Sequence, residues 1–243
     1  MNFALLLFIT IISAKTLPPD IVRCRKSDPN ACLDVHVMEA VRKFAAGNKD
    51  LGIVPLEPLF IERVEFAAPG SGSVSLHQVY RNAYLHGITS ATITDSEANF
   101  DDGDCYWRYN SFTPAIRLEA DYTMKGRLLL FPINGQGRCN NTFYEIDGRN
   151  EFKCEKYVKK DKTHLRMVEH KFRIQPKRVV FDYNNIIGGN EEFNKEVLKT
   201  VNENALTVYA DVGPALEEVM SRIWLQSINE VFSRVPEDEL FLP

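Results

Sequence analysis

Gly135-Gln136-Gly137 closes an apolar run, Leu128 to Ile133, and is followed at once by Cys139 and Asn140. A Gly-x-Gly after a strand can cradle phosphate if a helix starts directly behind it, because the N–H groups and dipole of the helix terminus hold the anion. Here RCNNTFYEIDG follows, and no Lys-[Ser/Thr] stands after the second glycine. The pair therefore reads as a bulge or sharp bend in a sheet, and a nucleotide enzyme is not expected.

The other constellations that could do chemistry end the same way. The chain has no Gly-x-Ser-x-Gly elbow and no His-Glu-x-x-His. Gly70 to Ser73 (GSGS) reads as a turn. The histidines are His36, His77, His86, His164 and His170. His164 and His170 are spaced to share one face of a strand, but no cysteine or carboxylate spacing completes a metal site around them. Asp101 to Asp104 (DDGD) lacks the residue order and distal Glu of a calcium loop. Lys156 to Lys162 (KYVKKDK) reads as a solvated strand end. No catalytic residue, metal or cofactor is expected.

Residues 3–12 are almost all apolar, and Ile12-Ser13-Ala14 ends in small residues. This is the pattern of a signal peptide, residues 1–14, cut after Ala14. Its apolar core is too short to span a bilayer. The expected product is a secreted, extracellular protein, one domain over residues 15–243, with no linker, repeat or membrane span. The formal charge of −4 argues against general nucleic-acid binding.

Disulfides persist after export. Of the five cysteines, Cys24 and Cys32 flank a short polar loop and close readily on each other. Cys105, Cys139 and Cys154 allow one bridge and one free thiol. Cys139–Cys154 is the preferred pair, because EIDGR between them reads as a hairpin turn. Asn140-Asn141-Thr142 is the one glycosylation sequon, with Asn140 as acceptor.

The order of elements follows from periodicity. Leu33, Val37, Val41 and Phe44 have helical spacing, and Gly47 ends that helix. Pro55 and Pro58 place the next stretch at a sheet edge. From Val64 to about Phe181 the chain reads as consecutive strands, hence antiparallel meanders. Alternation is clear where Leu165 and Met167 oppose Arg166 and Val168. Two helices follow, read over residues 190–205 and 211–234. On the second, Val212, Leu216, Val219, Ile223, Ser227 and Val231 form one stripe, with Met220, Trp224 and Ile228 beside it. A helix apolar over that much of its girth is enveloped by something, and a large sheet must cover one face.

These pieces resemble the insect takeout / juvenile-hormone-binding family. The resemblance rests on Cys24-x7-Cys32 before a helix, LGIVPLEPLFIERVEF, YLHGIT, YTMKGRLLLFPINGQG, VNEN and VFSRVPEDELF, in that order along the mature chain. Asn185-Ile186-Ile187-Gly188-Gly189 departs from the family's usual Asn-Leu-Phe-Asn, and the three later cysteines are additional. The resemblance implies an α+β fold: a strongly curved antiparallel β-sheet wrapped around a long apolar α-helix, enclosing a hydrophobic tunnel. It implies a monomeric, non-catalytic carrier whose partner is a small hydrophobic ligand such as a terpenoid hormone or lipid.

The wall of such a tunnel would draw on the sheet's concave side and the long helix. From the sheet, the expected wall residues are Leu56, Leu85, Ile88, Phe112, Ile116 and Tyr122. Further along they are Leu128, Leu130, Ile133, Phe172 and Ile174, and from the helix Val219, Ile223 and Trp224. Tyr122 would hydrogen-bond the ligand's polar head. Gly135 and Gly137 would let the sheet curl. Two other classes compete: a secreted partner- or membrane-recognition protein with a structural cavity, and a hydrolase.

Overall fold

A computed structural model of the chain describes residues 15–67, 74–101, 103–189 and 191–243. The expected signal peptide, the GSGS turn and Asp102 of DDGD lie outside the described residues.

The chain runs α1 (Asn30–Lys43), β1 (Leu59–Ala67), β2 (Val74–His86), a short 3-10 turn, β3 (Thr92–Asn99), β4 (Cys105–Leu128), β5 (Phe131–Lys159), β6 (Lys162–Val180), α2 (Glu191–Glu203), α3 (Ala205–Phe232) and α4 (Glu237–Leu240). All strand pairs are antiparallel, in the order β1-β2-β4-β5-β6, and β3 pairs with the first half of β4. α3 lies chiefly along β6 and also reaches β1 and β2, so both edges of the curled sheet come to one helix. This is the expected α+β arrangement.

The meander differs from the sequence reading in one respect. EIDGR is not a turn. β5 runs straight through it, and the reversal falls earlier, at Leu129-Leu130. Leu129 takes φ 55° there, a conformation that glycine or asparagine adopts more readily. Nothing in a Leu-Leu-Leu run announces a turn.

The straight path of β5 overturns the Cys139–Cys154 pairing. Fifteen positions along one strand, at ~3.3 Å each, separate the two by about 50 Å of path, far beyond the ~5.5 Å between Cα atoms that a bridge spans. The register instead sets Cys105 directly opposite Cys154. These two form the disulfide, with Cα atoms 4.9 Å apart, and Cys24–Cys32 forms the other. Cys139 is a free, buried thiol.

The inward face of β5 switches at EIDGR. Before Glu145 the buried positions of β5 are odd (Ile133, Cys139, Phe143); after it they are even (Ile146, Asn150, Phe152). β4 changes parity in the same place, from Trp107 to Ala120, Tyr122 and Met124. Pro114 and Glu145 face each other at the break, and Glu145 has φ 49°. One extra residue in each strand keeps the register intact while it turns the inward face, which is how aligned bulges coil a sheet.

Gly135 and Gly137 serve a different purpose from the expected curl. A Cβ on Gly135 would come within 2.3 Å of the Ile186 carbonyl oxygen, and one on Gly137 within 2.0 Å of Asn184 Oδ1. The glycines let residues 184–186 lie directly across β5, where Asn184 Oδ1 accepts the Arg138 N–H (2.6 Å).

α3 begins at Ala205, six residues before the sequence reading, and carries Pro214 inside it. A proline there costs a backbone hydrogen bond. The burial of Val208, Tyr209 and Val212 in the sheet's core offsets that cost. The core has two halves. One joins β1, β2, the end of β4, α2 and the start of α3; the other joins α1, β3, the start of β4, α4 and the end of α3.

Candidate functional site: an apolar cleft under α3

The first half of the core holds a cleft of about 50 Å³. Its walls come from β1 (Ile61, Val64, Phe66), β2 (Gln78, Tyr80, Ala83, Leu85), β4 (Leu118), β5 (Asn141, Phe143) and the segment after β6 (Phe181, Tyr183). α3 closes it with Tyr209, Val212, Leu216, Val219 and Met220. Among the described residues no Lys, Arg, His, Asp or Glu lines it.

The two sides of the cleft are built differently. On the β6 side, α2 and α3 are stitched to the strand's edge by side chains that take the place of a neighbouring strand. Asn202 exchanges two hydrogen bonds with the Phe181 backbone (2.8 Å each). Glu217, buried, accepts the Ile174 N–H (2.9 Å), and the Tyr209 hydroxyl donates to the Ile174 carbonyl (3.2 Å). Ser221 Oγ donates to the His170 carbonyl, and Asn229 exchanges two bonds with Met167. Covering an edge this way removes its capacity to pair with another chain. On the β1 side, the cleft is closed by apolar side chains meeting apolar side chains, Ile61, Val64 and Phe66 opposite Val212, Leu216 and Met220. The Val74 N–H donating to Asp211 Oδ2 (3.1 Å) is a polar tie from α3 to the β1–β2 hairpin.

One wall is polar. Asn141, Tyr183, Tyr80 and Gln78 form a buried hydrogen-bonded run. Burial pushes the Tyr80 and Tyr183 hydroxyls well above the ordinary tyrosine range, so both stay neutral. Cys139 lies in the same half of the core, and burial pushes its thiol up to about 12. It is an inert packing residue rather than a nucleophile.

Of the residues expected to line the ligand wall, Leu85 and Val219 line the cleft. Tyr122, Leu128 and Ile133 are buried in the same half of the core, and Ile116 and Ile174 pack against it, but the free space does not touch them. Tyr122 does not offer its hydroxyl, which already donates to the Asn184 carbonyl (2.5 Å). Leu56 is buried beside Leu59 at the start of β1, and Ile88 is half-buried in the 3-10 turn. Phe172, Ile223 and Trp224 are half-buried, and the free space does not touch them.

Two expected wall residues are corrected. Leu130 is 91 % exposed, because it sits at the tip of the β4–β5 turn. Phe112 faces outward, with the Lys177 ammonium 6.0 Å from its ring, because the inward positions of that half of β4 are odd. The polar run went unread for a simple reason. Gln78 and Asn141 look like solvent-facing strand positions, and only the parity of Leu76, Gln78 and Tyr80 on one face could have pointed inward.

His164 and His170 are both buried, but a bulge at Val168 lies between them and breaks the even spacing that would have set them on one face, and each is spent on packing. His164 Nδ1 bonds the Phe232 carbonyl (2.8 Å), and the His170 ring stacks on Phe152 at 3.9 Å. Among the described residues no His, Cys, Asp and Glu group is placed to hold a metal ion, and no helix is long and apolar enough to cross a membrane. Asn140 is exposed on the outer face of β5.

A family model described as haemolymph juvenile hormone binding protein (JHBP) matches residues 3–242. The chain belongs to this family. Its curved sheet and long helix also match the crystal structure of Takeout 1 from Epiphyas postvittana, with a TM-score of 0.79 over 91 % of this chain and 99 % of that one, at 22 % identity. That likeness places the chain in the takeout fold. Two proteins called circadian clock-controlled protein daywake are similar in sequence. The one from Drosophila yakuba is 22 % identical, covering 95 % of this chain and 90 % of its own. The one from Drosophila melanogaster is also 22 % identical, covering 94 % and 90 %. The family is one of binding proteins rather than enzymes.

Proposed function

We propose that this chain is a secreted carrier of small hydrophobic ligands, a terpenoid hormone, fatty acid or related lipid, held between the curved sheet and α3 without a catalytic step. Residues 1–14 would be removed on export, leaving residues 15–243 as a monomeric carrier. The observation that carries this reading is the uncharged, mostly apolar cleft, in a chain whose family is named for binding juvenile hormone.

Enclosing an apolar chain removes its surface from water, which contributes about 25 cal/mol per Å² before the costs of association. Sites for drug-sized ligands enclose about 300–1,000 Å³. The cleft is about 50 Å³, so its walls part when a ligand enters. The β6 side is stitched by several hydrogen bonds to backbone, whereas Ile61, Val64 and Phe66 on the β1 side meet α3 by apolar contact, so β1 is the part of the wall that yields.

Native mass spectrometry of the secreted protein tests this reading, together with displacement of a fluorescent fatty-acid probe. A stoichiometric co-purified lipid, or displacement by a lipid ligand, is the expected result. A protein that carries nothing and does not bind the probe would sink it. Turnover of an ester substrate, lost on changing one Ser or His, would favour a hydrolase instead.

A further inference from the structure

The buried polar run has a direction, and the direction can be read. The Asp182 N–H donates to Asn141 Oδ1 (3.0 Å), so the amide nitrogen of Asn141 is a donor and bonds the Tyr183 hydroxyl (2.8 Å). The Tyr80 hydroxyl donates to Gln78 Oε1 (2.7 Å). The two tyrosine oxygens are 2.6 Å apart. Since the Tyr80 proton is committed to Gln78, the proton between the rings comes from Tyr183. Each tyrosine hydroxyl in the run then both accepts and donates, and donation points one way: Asn141 to Tyr183 to Tyr80 to Gln78. Such chains polarise their members cooperatively.

The run ends on an unused donor. Gln78 is 4 % exposed, and its amide nitrogen has no hydrogen-bond partner among the described residues. Gln78 is itself one of the residues that line the cleft. A buried amide N–H pair without an acceptor costs free energy, so an occupant that supplies one is favoured. The acceptor must be neutral. No cation among the described residues lines the cleft to pair a carboxylate, and an unpaired carboxylate there would bear its full desolvation cost.

Resting on the carrier reading, we infer that Gln78 is the specificity-determining residue of the cleft. Its free amide N–H groups select ligands whose polar end is a neutral hydrogen-bond acceptor, an ester, ketone or aldehyde, over hydrocarbons and over free fatty acids.

The test compares dissociation constants for a matched series of one chain length: the alkane, the methyl ester and the free acid. The wild-type protein should bind the ester about tenfold more tightly than the alkane, the value of one buried hydrogen bond, and should bind the acid more weakly than the ester at neutral pH. In Gln78→Leu, with folding checked by circular dichroism, the preference for ester over alkane should vanish while alkane binding persists. A wild-type protein that does not distinguish ester from alkane overturns the inference and leaves the carrier reading standing, as does a preference that survives in Gln78→Leu. Failure to bind any member of the series overturns both. A second readout needs no variant. The infrared carbonyl band of bound, isotope-labelled methyl ester should lie at lower wavenumber than in alkane solvent, and a band at the solvent position overturns the inference.

Discussion

Asn229 on α3 holds the backbone of Met167 on β6 with both halves of its amide: the Met167 N–H donates to Oδ1 and Nδ2 donates to the Met167 carbonyl, each at 2.8 Å. The side chain stands in for the missing neighbour strand. Met167 is 1 % exposed, so water cannot replace what Asn229 supplies. Asn229→Ala should therefore cost about 2–4 kcal/mol, since two buried backbone groups lose their partners. Asn229→Asp keeps the acceptor half and should lose less. Urea unfolding of the two variants checks the order.

The disulfide between Cys105 and Cys154 closes a separation of 49 residues. On the chain-entropy account a loop of that size contributes about 4 kcal/mol. The double variant Cys105→Ala/Cys154→Ala should be destabilised by that order, whereas Cys139→Ala should keep both bridges. Cys139 is 4 % exposed, with its thiol raised to about 12 by burial. A thiol reagent should leave the native protein unlabelled and label one site after denaturation without reductant. Labelling at Cys105 or Cys154 under those conditions would contradict the pairing.

Gly135 lies against the Ile186 carbonyl, where a Cβ would sit 2.3 Å from oxygen. The obstacle is backbone rather than a movable side-chain tip. Gly135→Ala should cost about 1–3 kcal/mol, and Gly137→Val should lower thermal stability and ligand capacity together. Neither should alter nucleotide binding, which calorimetry should find absent in the wild type as well.

His170 makes stability depend on pH. Burial holds its imidazole down at about 4, against an ordinary value of 6.5, although its hydrogen bond to the Ser221 carbonyl pulls the other way. Between pH 4 and 6.5 the unfolded chain binds the proton and the folded chain does not. Stability therefore rises with pH through that window and is lost as pH falls from about 6.5 toward 4, by up to about 3 kcal/mol. Carboxylates titrate below and into the same range, so the useful measurement is the difference between wild type and His170→Asn. The wild-type curve should be the steeper of the two from pH 6.5 to 4.

Much of the fold was legible because it is written in local periods. The helical spacing of Leu33, Val37 and Val41, the alternation around Leu165 and Met167, and the stripe on α3 each report one element's buried face, and they did so correctly. The first disulfide was legible for the same reason, since its cysteines are sequence neighbours. The motif order along the whole chain was enough to suggest the family.

Long-range register was not legible. A Leu-Leu turn instead of a turn at EIDGR moves the reversal by about sixteen residues, and with it the partner of Cys154 and the exposure of Leu130. The inward parity of β4 and β5 changes at Pro114 and Glu145, a break that depends on the two strands bulging in line. The same holds for the cleft. The sequence by itself determined which elements form and that their apolar faces must meet. Only the tertiary structure decided that Gln78, Tyr80, Tyr183 and Asn141, from three separated stretches of chain, meet inside, because hydrogen-bond direction and enclosed space are properties of an assembled interior rather than of any one segment.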